Sequence, residues 1–156
     1  MNIQIRKGER KDIPDVLKLI KELAVYEKAP DEVVTTVDEL TEDGFGVKPV
    51  FDVIVAEMDK KVVGFALYYT SYSTWKGKAL YLEDFIVNEP YRKHGIGKML
   101  FDEVLKVAKE RKVRRMEWQV LDWNEPAINF YKKYNATLDD EWLNGRLFYD
   151  DIQELG

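Results

Sequence analysis

Residues 81–98 read Tyr-Leu-Glu-Asp-Phe-Ile-Val-Asn-Glu-Pro-Tyr-Arg-Lys-His-Gly-Ile-Gly-Lys, and this stretch decides the fold. The apolar run up to Val87 predicts a strand, and the Gly95-x-Gly97 turn leads into a segment with helical periodicity. Glycines let a ligand approach the backbone closely, and a helix N-terminus offers amides and a positive dipole end to a phosphate. The stretch therefore indicates a phosphate-binding turn, although the two glycines alone would fit a simple helix start equally well.

Two other phosphate-binding motifs are excluded by the same residues. A Walker-type loop needs glycine and Ser/Thr where Arg92 and Met99 stand. A Rossmann fingerprint needs a third glycine and a place after the first strand of a βαβ unit.

Glu83 and Asp84 interrupt the apolar strand. Unpaired carboxylates are rare in buried strands because their desolvation is costly. Side chains alternate along a strand, so the two acids are expected on opposite faces, one of them in a cleft. There a carboxylate has a raised pKa and can act as a general base. An edge strand with two solvated acids is the alternative.

The rest of the chain predicts a mixed α/β fold. Strands are expected near residues 3–5, 51–57, 61–69, 79–87, 113–120 and 146–149, and helices at about 12–26, 36–43, 97–108 and 125–134. Asp12, Thr36 and Asn124 are candidate helix caps. The order predicts a mixed, mostly antiparallel, twisted sheet with helices on both faces, in a single domain over residues 1–156.

Composition narrows the possible functions. The net charge of −5 argues against a sequence-independent nucleic-acid binder and suits a cationic substrate. The chain has no apolar run of about 20 residues and no signal-like N-terminus, so we expect no membrane span and a cytoplasmic protein. It has no cysteine and only one histidine, His94, so we expect no metal site.

Residues 122–134 form the third informative segment. Asn124 and Pro126 specify a helix start. Tyr131 on that helix could be a core aromatic, which is the usual role of an isolated tyrosine on an amphipathic helix.

Together these motifs resemble a known family. Arg92-x-x-Gly95-x-Gly97 after a strand, with Asn124 and Phe130-Tyr131 on the next helix, is similar to the acetyl-CoA signature of the GNAT superfamily. Several short motifs also resemble the spermidine/spermine N-acetyltransferase family, and the likeness runs from about residue 5 to 148. They are Tyr26-Glu27, residues 43–46, residues 81–84 and residues 123–126.

The resemblance implies a GNAT domain over 1–156 that transfers the acetyl group of acetyl-CoA directly to the primary amine of a small cationic acceptor. It implies Glu83 as the base, directly or through a water, and Tyr131 as the proton donor to the departing thiolate. It also implies a homodimer, for which the segment around residues 147–149 is a candidate contact.

The resemblance also assigns binding residues. The pantetheine arm is expected along Phe85, Ile86 and Val87, beside a β-bulge, the pyrophosphate at Arg92, Lys93, His94, Gly95, Ile96, Gly97 and Lys98, and a further CoA contact at Asn124, Glu125, Pro126 and Ala127. The acceptor amine is expected at Tyr26, Glu27, Trp75, Glu83, Asp84, Glu117, Trp118 and Gln119.

Two departures bear on the substrate. Residues 73–77 and 121–124 are similar to the thialysine N-acetyltransferase branch, which favours short diamines or lysine analogues over long polyamines. Asn135 stands where the family usually has glycine, and asparagine also suits a left-handed cap.

Two other functions stay open: a protein or peptide N-acetyltransferase and a non-catalytic CoA-binding sensor. The bulky Tyr72 and Trp75 argue against the first, and the presence of both Glu83 and Tyr131 argues against the second.

Overall fold

The structure, a computed structural model, describes residues 2–155 of the chain. It contains two compact units, one up to Gln119 and one from Val120. The first unit contains strands β1 (Ile3–Lys7), β2 (Asp52–Met58), β3 (Lys61–Ser73), β4 (Gly77–Val87) and β5 (Arg115–Glu117) and helices α1 (Ile13–Tyr26), α2 (Val37–Phe45) and α3 (Ile96–Glu110). Short 3-10 turns lie at Arg10–Asp12, Pro30–Glu32 and Glu89–Tyr91.

The five strands form one sheet in the order β1-β2-β3-β4-β5. The first three pairings are antiparallel, and β4 pairs with β5 in parallel. The predicted mixed, mostly antiparallel sheet is confirmed. β5 is shorter than the predicted 113–120 strand.

Helices cover both faces of this sheet. On one face, α1 contributes Val16 and Leu19 to a buried cluster with Phe65 and Leu67 of β3. On the other, Phe101 of α3 packs against Phe85 of β4 with ring centroids 5.8 Å apart. Phe65 has no exposed surface, and truncating such a side chain to alanine typically costs about 3–5 kcal/mol. β4 therefore lies between α1 on one face and α3 on the other.

The helix caps follow the sequence in part. The Thr36 hydroxyl accepts from the Glu39 amide at 3.1 Å, which confirms the predicted cap of α2. Asp12 stands at the start of α1, but its carboxylate accepts from the Arg6 guanidinium at 2.8 Å and from the Glu9 amide at 2.7 Å. Asp12 therefore ties β1 to the turn before α1 and does not cap the helix.

The second unit contains α4 (Glu125–Lys132) and α5 (Tyr149–Leu155). The predicted strand over 146–149 is wrong, because Tyr149 begins a helix whose first turn carries Asp150 and Asp151. Acidic residues favour a helix N-terminus, and the Phe148 amide donates to Asp151 Oδ2 at 3.2 Å. Local capping chemistry therefore prevailed over the aromatic strand pattern.

Among residues 2–155, no helix has the length and apolar character that crossing a bilayer requires.

Candidate active site

A β-bulge lies in the middle of β4. Leu67 of β3 pairs with Asp84, and the next residue, Tyr68, pairs with Leu82, so Glu83 is an extra residue in β4. Leu67 and Tyr69 share a face of β3. Asp84 lies opposite Leu67, and Glu83 Oε1 is 3.5 Å from the Tyr69 hydroxyl. The expectation that the two acids point to opposite faces is wrong, since the bulge breaks the alternation and brings both to the α1 face.

Two aromatic rings lie beside the bulge. Tyr69 stacks on Tyr81 with ring centroids 5.4 Å apart and planes inclined by 29°. Burial and the negative charge of Glu83 raise the pKa of the Tyr69 hydroxyl, so it remains a neutral donor to that carboxylate. Aromatic faces next to a carboxylate make a surface that attracts an organic cation.

A third carboxylate, that of Glu27, acts electrostatically on Asp84. Burial, together with the negative charges of Glu83 and Glu27, raises the pKa of Asp84 to about 6. Burial also raises the pKa of Glu27, which follows the last residue of α1. Three acidic groups on α1 and β4 therefore share one electrostatic environment, and a bound ammonium would relieve their repulsion.

Trp75, another predicted acceptor residue, lies far from the bulge. Trp75 is at the tip of the β3–β4 hairpin and is 81% exposed. Six residues of extended strand separate Gly77 from Glu83, roughly 20 Å along β4. This spacing exceeds the length of a short diamine, so the structure does not bring Trp75 to the bulge.

Residues 117–119 follow β5. Glu117 pairs with Tyr81 across the sheet and forms an ion pair with Arg115 at 3.0 Å. Trp118 packs edge-on against Phe101 of α3, with ring centroids 5.5 Å apart, and Gln119 is exposed. The Trp118 ring thus contributes to packing in this unit.

The turn before α3 has the geometry of an anion cradle. Lys93 and Gly95 both adopt left-handed backbone, with φ of 68° and 79°. The first helical hydrogen bond runs from the Met99 amide to the Gly95 carbonyl at 3.1 Å. The amides of Ile96, Gly97 and Lys98 therefore stand outside the helical ladder at the positive end of α3.

Space is available in front of this cradle. A Cβ placed on Gly95 would meet no heavy atom within 4 Å. Ile86 and Ile96 are buried in the core, so only their backbone is available to a ligand. The turn therefore has the features of an anion site in which contacts would go mainly to main-chain amides.

Arg92 is already engaged by protein groups. Its Nε donates to the Val87 carbonyl at 2.8 Å, at the end of β4. Lys98 also has a partner, Asp102, at 2.6 Å on the first turns of α3. His94 and Lys93 are exposed on the turn itself.

In the second unit, Asn124 Oδ1 accepts from the Ala127 amide at 3.3 Å and caps α4, as predicted. Glu125 and Pro126 are exposed in the first turn of the helix. Tyr131 is only 6% exposed, and its ring packs edge-on against Phe130 at 5.6 Å. Asn135 has φ of 60°, so the left-handed cap expected after this helix is present.

Sequence reasoning missed Tyr69. Its partner Glu83 is 14 residues away, and the contact depends on the register shift at Leu67/Tyr68. The only linear signal was a tyrosine pair in an apolar strand, which is equally typical of a core.

Comparisons with known proteins show the family to which this chain belongs. Residues 16–136 match the family model described as the acetyltransferase (GNAT) family. The thialysine N-epsilon-acetyltransferase of Bos taurus is 41% identical over 98% of this chain and 96% of its own length. The human spermidine/spermine N(1)-acetyltransferase-like protein 1 is 40% identical over 85% of this chain and 20% of its own length.

A solved structure, an integron cassette protein from the mobile metagenome of V. cholerae, superposes with a TM-score of 0.79. It is 25% identical and the alignment covers 99% of this chain and 98% of that one. Since the family model covers most of the chain and the bovine relative aligns almost end to end, the chain belongs to the GNAT family of acetyltransferases.

Proposed function

We propose that this protein transfers the acetyl group of acetyl-CoA directly to the primary amine of a small cationic acceptor. The single observation that carries the proposal is the β4 bulge, which gathers Glu83 and Asp84 on the α1 face within the electrostatic reach of Glu27. GNAT acetyltransferases use acetyl-CoA as the donor, and it supplies an activated thioester. The chain's own residues must then bind, orient and deprotonate the amine.

The donor is proposed to lie across the end of β4 and the start of α3. Backbone groups of Phe85, Ile86 and Val87 would hold the pantetheine arm. The amides at residues 95–98 would hold the diphosphate, with Lys93 and His94 beside it. From the sequence resemblance alone, Asn124, Glu125, Pro126 and Ala127 are also proposed as CoA contacts.

The acceptor is proposed to lie at Tyr26, Glu27, Glu83 and Asp84, over the Tyr69–Tyr81 stack. An alkyl ammonium has a pKa near 10 and must lose a proton before it attacks a thioester. Glu83 is the exposed member of the bulge and is the proposed base. Tyr131 is the proposed proton donor to the leaving thiolate.

A short acceptor with a lysine-like shape fits this site best. The three carboxylates are concentrated near one end of β4, whereas the exposed Trp75 is far from them along the strand. The bovine relative is named for thialysine, which is a lysine analogue. Glu117, Trp118 and Gln119 remain proposed contacts of the more distant part of the acceptor.

The whole chain is proposed to act as one cytoplasmic GNAT domain that forms a homodimer. The family match runs across the division at residue 119, which supports one domain over 1–156. Exposed Leu147, Phe148 and Tyr149 support a contact with a second copy, since large exposed apolar groups commonly mark interfaces. Sedimentation of the wild type and of Phe148→Asp tests it, and a monomeric wild type would refute the dimer.

The decisive experiment is thiol release from acetyl-CoA in the presence of thialysine, lysine, putrescine, spermidine or spermine, and separately of a lysine-containing peptide. We expect the highest kcat/KM with thialysine and the lowest with spermine. Acetylation of peptides but of none of these amines would favour the protein or peptide acetyltransferase. Acetyl-CoA binding without turnover of any amine would favour the sensor.

Tyr131→Phe tests the acid on the second unit. We expect turnover to fall about 10²–10⁴-fold, the usual contribution of general acid catalysis, with the Kd for acetyl-CoA within about twofold of wild type. Tyr134→Phe, three residues further along, is the matched control and should retain turnover. A Tyr131→Phe variant with weakened acetyl-CoA binding and normal turnover would make Tyr131 a packing residue.

A further inference from the structure

A polar contact ties α1 to the corner that follows β4. Glu22 Oε1 accepts from the Asn88 side-chain amide at 2.9 Å and from the Glu89 backbone amide at 3.4 Å. The Asn88 backbone amide in turn donates to the Val63 carbonyl of β3 at 2.7 Å. The last two turns of α1 are therefore fixed to the end of β4, just before the cofactor turn (residues 93–98).

Arg92 extends this connection with three contacts. Its Nε donates to the Val87 carbonyl at 2.8 Å, and its Nη2 lies 4.0 Å from Glu22 Oε2. Its Cζ lies 5.7 Å from the centroid of the Tyr26 ring. Glu22 and Tyr26 are four residues apart and lie on one face of α1, so a single guanidinium contacts both.

We propose that Arg92 is a positioning residue that couples the amine-binding end of α1 to the cofactor turn, and that it does not bind the cofactor phosphates. Its Nε is already bonded to the Val87 carbonyl and its plane lies by the Tyr26 ring, so turning it toward the cradle would break both contacts. This inference rests on the proposed function, because it assigns amine binding to Tyr26 and Glu27.

The chemistry of the guanidinium explains why arginine is needed here. Only a planar fork donates from Nε to a carbonyl, offers a second nitrogen to a carboxylate and stacks on an aromatic ring at once. A lysine at this position keeps the positive charge but can satisfy only one of these contacts. Loss of the bridge would weaken the coupling of Tyr26, and of the adjacent Glu27, to the end of β4.

Arg92→Lys is therefore the informative variant, with Lys93→Asn as its matched comparison. Asparagine at position 93 removes the positive charge next to Arg92 and still adopts the left-handed backbone of Lys93. We expect Arg92→Lys to raise the KM for the amine about 5–10-fold and to leave the calorimetric Kd for acetyl-CoA within about twofold. Lys93→Asn should leave the amine KM unchanged and raise the Kd for acetyl-CoA about threefold. A raised Kd for acetyl-CoA with an unchanged amine KM in Arg92→Lys would overturn the proposal.

A double-mutant cycle with Tyr26→Leu supplies a test that does not depend on turnover. If Arg92 acts through the Tyr26 ring, Arg92→Lys should add little to the urea-midpoint shift once the ring is gone. Additive midpoint shifts would overturn the bridge even in an inactive protein. Failure of the wild type to acetylate any amine, with a coupled cycle, would instead overturn the proposed function and leave the bridge standing.

Discussion

The donor side of the proposed site is built from backbone amides, and the acceptor side is built from side-chain carboxylates and aromatic rings. At residues 93–98, left-handed backbone at Lys93 and Gly95 leads into the free amides at the start of α3. At the β4 bulge, the side-chain carboxylates of Glu83 and Asp84 share the sheet face that carries the Tyr69–Tyr81 pair. The donor side thus depends on conformation, and the acceptor side depends on charge.

This difference predicts which substitutions each side tolerates. Removing a side-chain charge at the turn before α3 should change acetyl-CoA affinity little. The proposed contacts there are backbone amides, which a side-chain substitution leaves in place. Removing a charge at the bulge should change catalysis or acceptor affinity directly. A change in backbone conformation should instead weaken acetyl-CoA binding at the turn before α3 and matter little at the bulge.

The largest effect is expected on the acceptor side. Glu83→Gln removes the proposed base but preserves shape, so kcat should fall about 10²–10⁴-fold in the thiol-release assay. Asp59→Asn, an acid in the β2–β3 turn whose left-handed φ of 51° suits asparagine, is the charge-matched control. Undiminished kcat in Glu83→Gln would remove it from the chemistry and break the comparison.

A conformational change should dominate on the donor side. Gly95→Val places a β-branched residue at φ of 79°, which strains the backbone by about 1–3 kcal/mol. If the turn relaxes to relieve this strain, acetyl-CoA affinity should fall roughly 5–150-fold. Gly95→Asn tolerates the left-handed region and should lose less. Calorimetry that ranks the asparagine variant equal to valine would show that backbone conformation does not control binding.

Asp84→Asn links acceptor binding to stability. Because the folded protein holds the pKa of Asp84 at about 6, above its ordinary value of 3.8, the ionised carboxylate destabilises the fold progressively as pH rises from about 4 to 6. Above pH 6 the variant should be more stable by about 1–3 kcal/mol, and below pH 4 the two should converge.

The same variant should bind the amine more weakly at pH 8, with KM raised about tenfold, and this difference should shrink near pH 5, where Asp84 in the wild type is protonated. Urea titrations and amine KM values at both pH values check the two trends. A variant less stable than wild type at pH 8 would contradict the assigned environment.

The smallest effect is expected at Lys98. Its ammonium pairs with Asp102 on an exposed stretch of α3, and such pairs contribute about 0–1 kcal/mol. Lys98→Ala should change the Kd for acetyl-CoA by less than about threefold, measured by calorimetry at low and physiological salt. A tenfold loss would mean that side-chain charge, and not backbone, dominates the donor side.

Local patterns in the sequence predicted the elements that carry their own signals. The glycines at 95 and 97 and the apolar period after them indicated a turn into a helix, because those conformational and burial preferences are local. Thr36 and Asn124 likewise specified the starts of their helices. The 146–149 segment failed because aromatic strand character there competed with the acidic residues that begin α5.

Contacts between distant residues could not be predicted in this way. The residues of β4 by themselves suggested regular alternation, and only the family resemblance implied a bulge. Its place at Glu83 depends on the register between β3 and β4. The Arg92 contacts with Val87, Glu22 and Tyr26 join segments up to 70 positions apart, from residue 22 to residue 92.

The sequence by itself determined the strand, turn and helix around residues 81–110 and the acidic, cysteine-free chemistry available to them. Those features follow from backbone preferences and side-chain types, which a short window contains. Only the tertiary structure decided that Glu83 and Asp84 share a face and that the Arg92 guanidinium lies beside Tyr26. Strand register and helix packing fix both, and neither is encoded in any single segment.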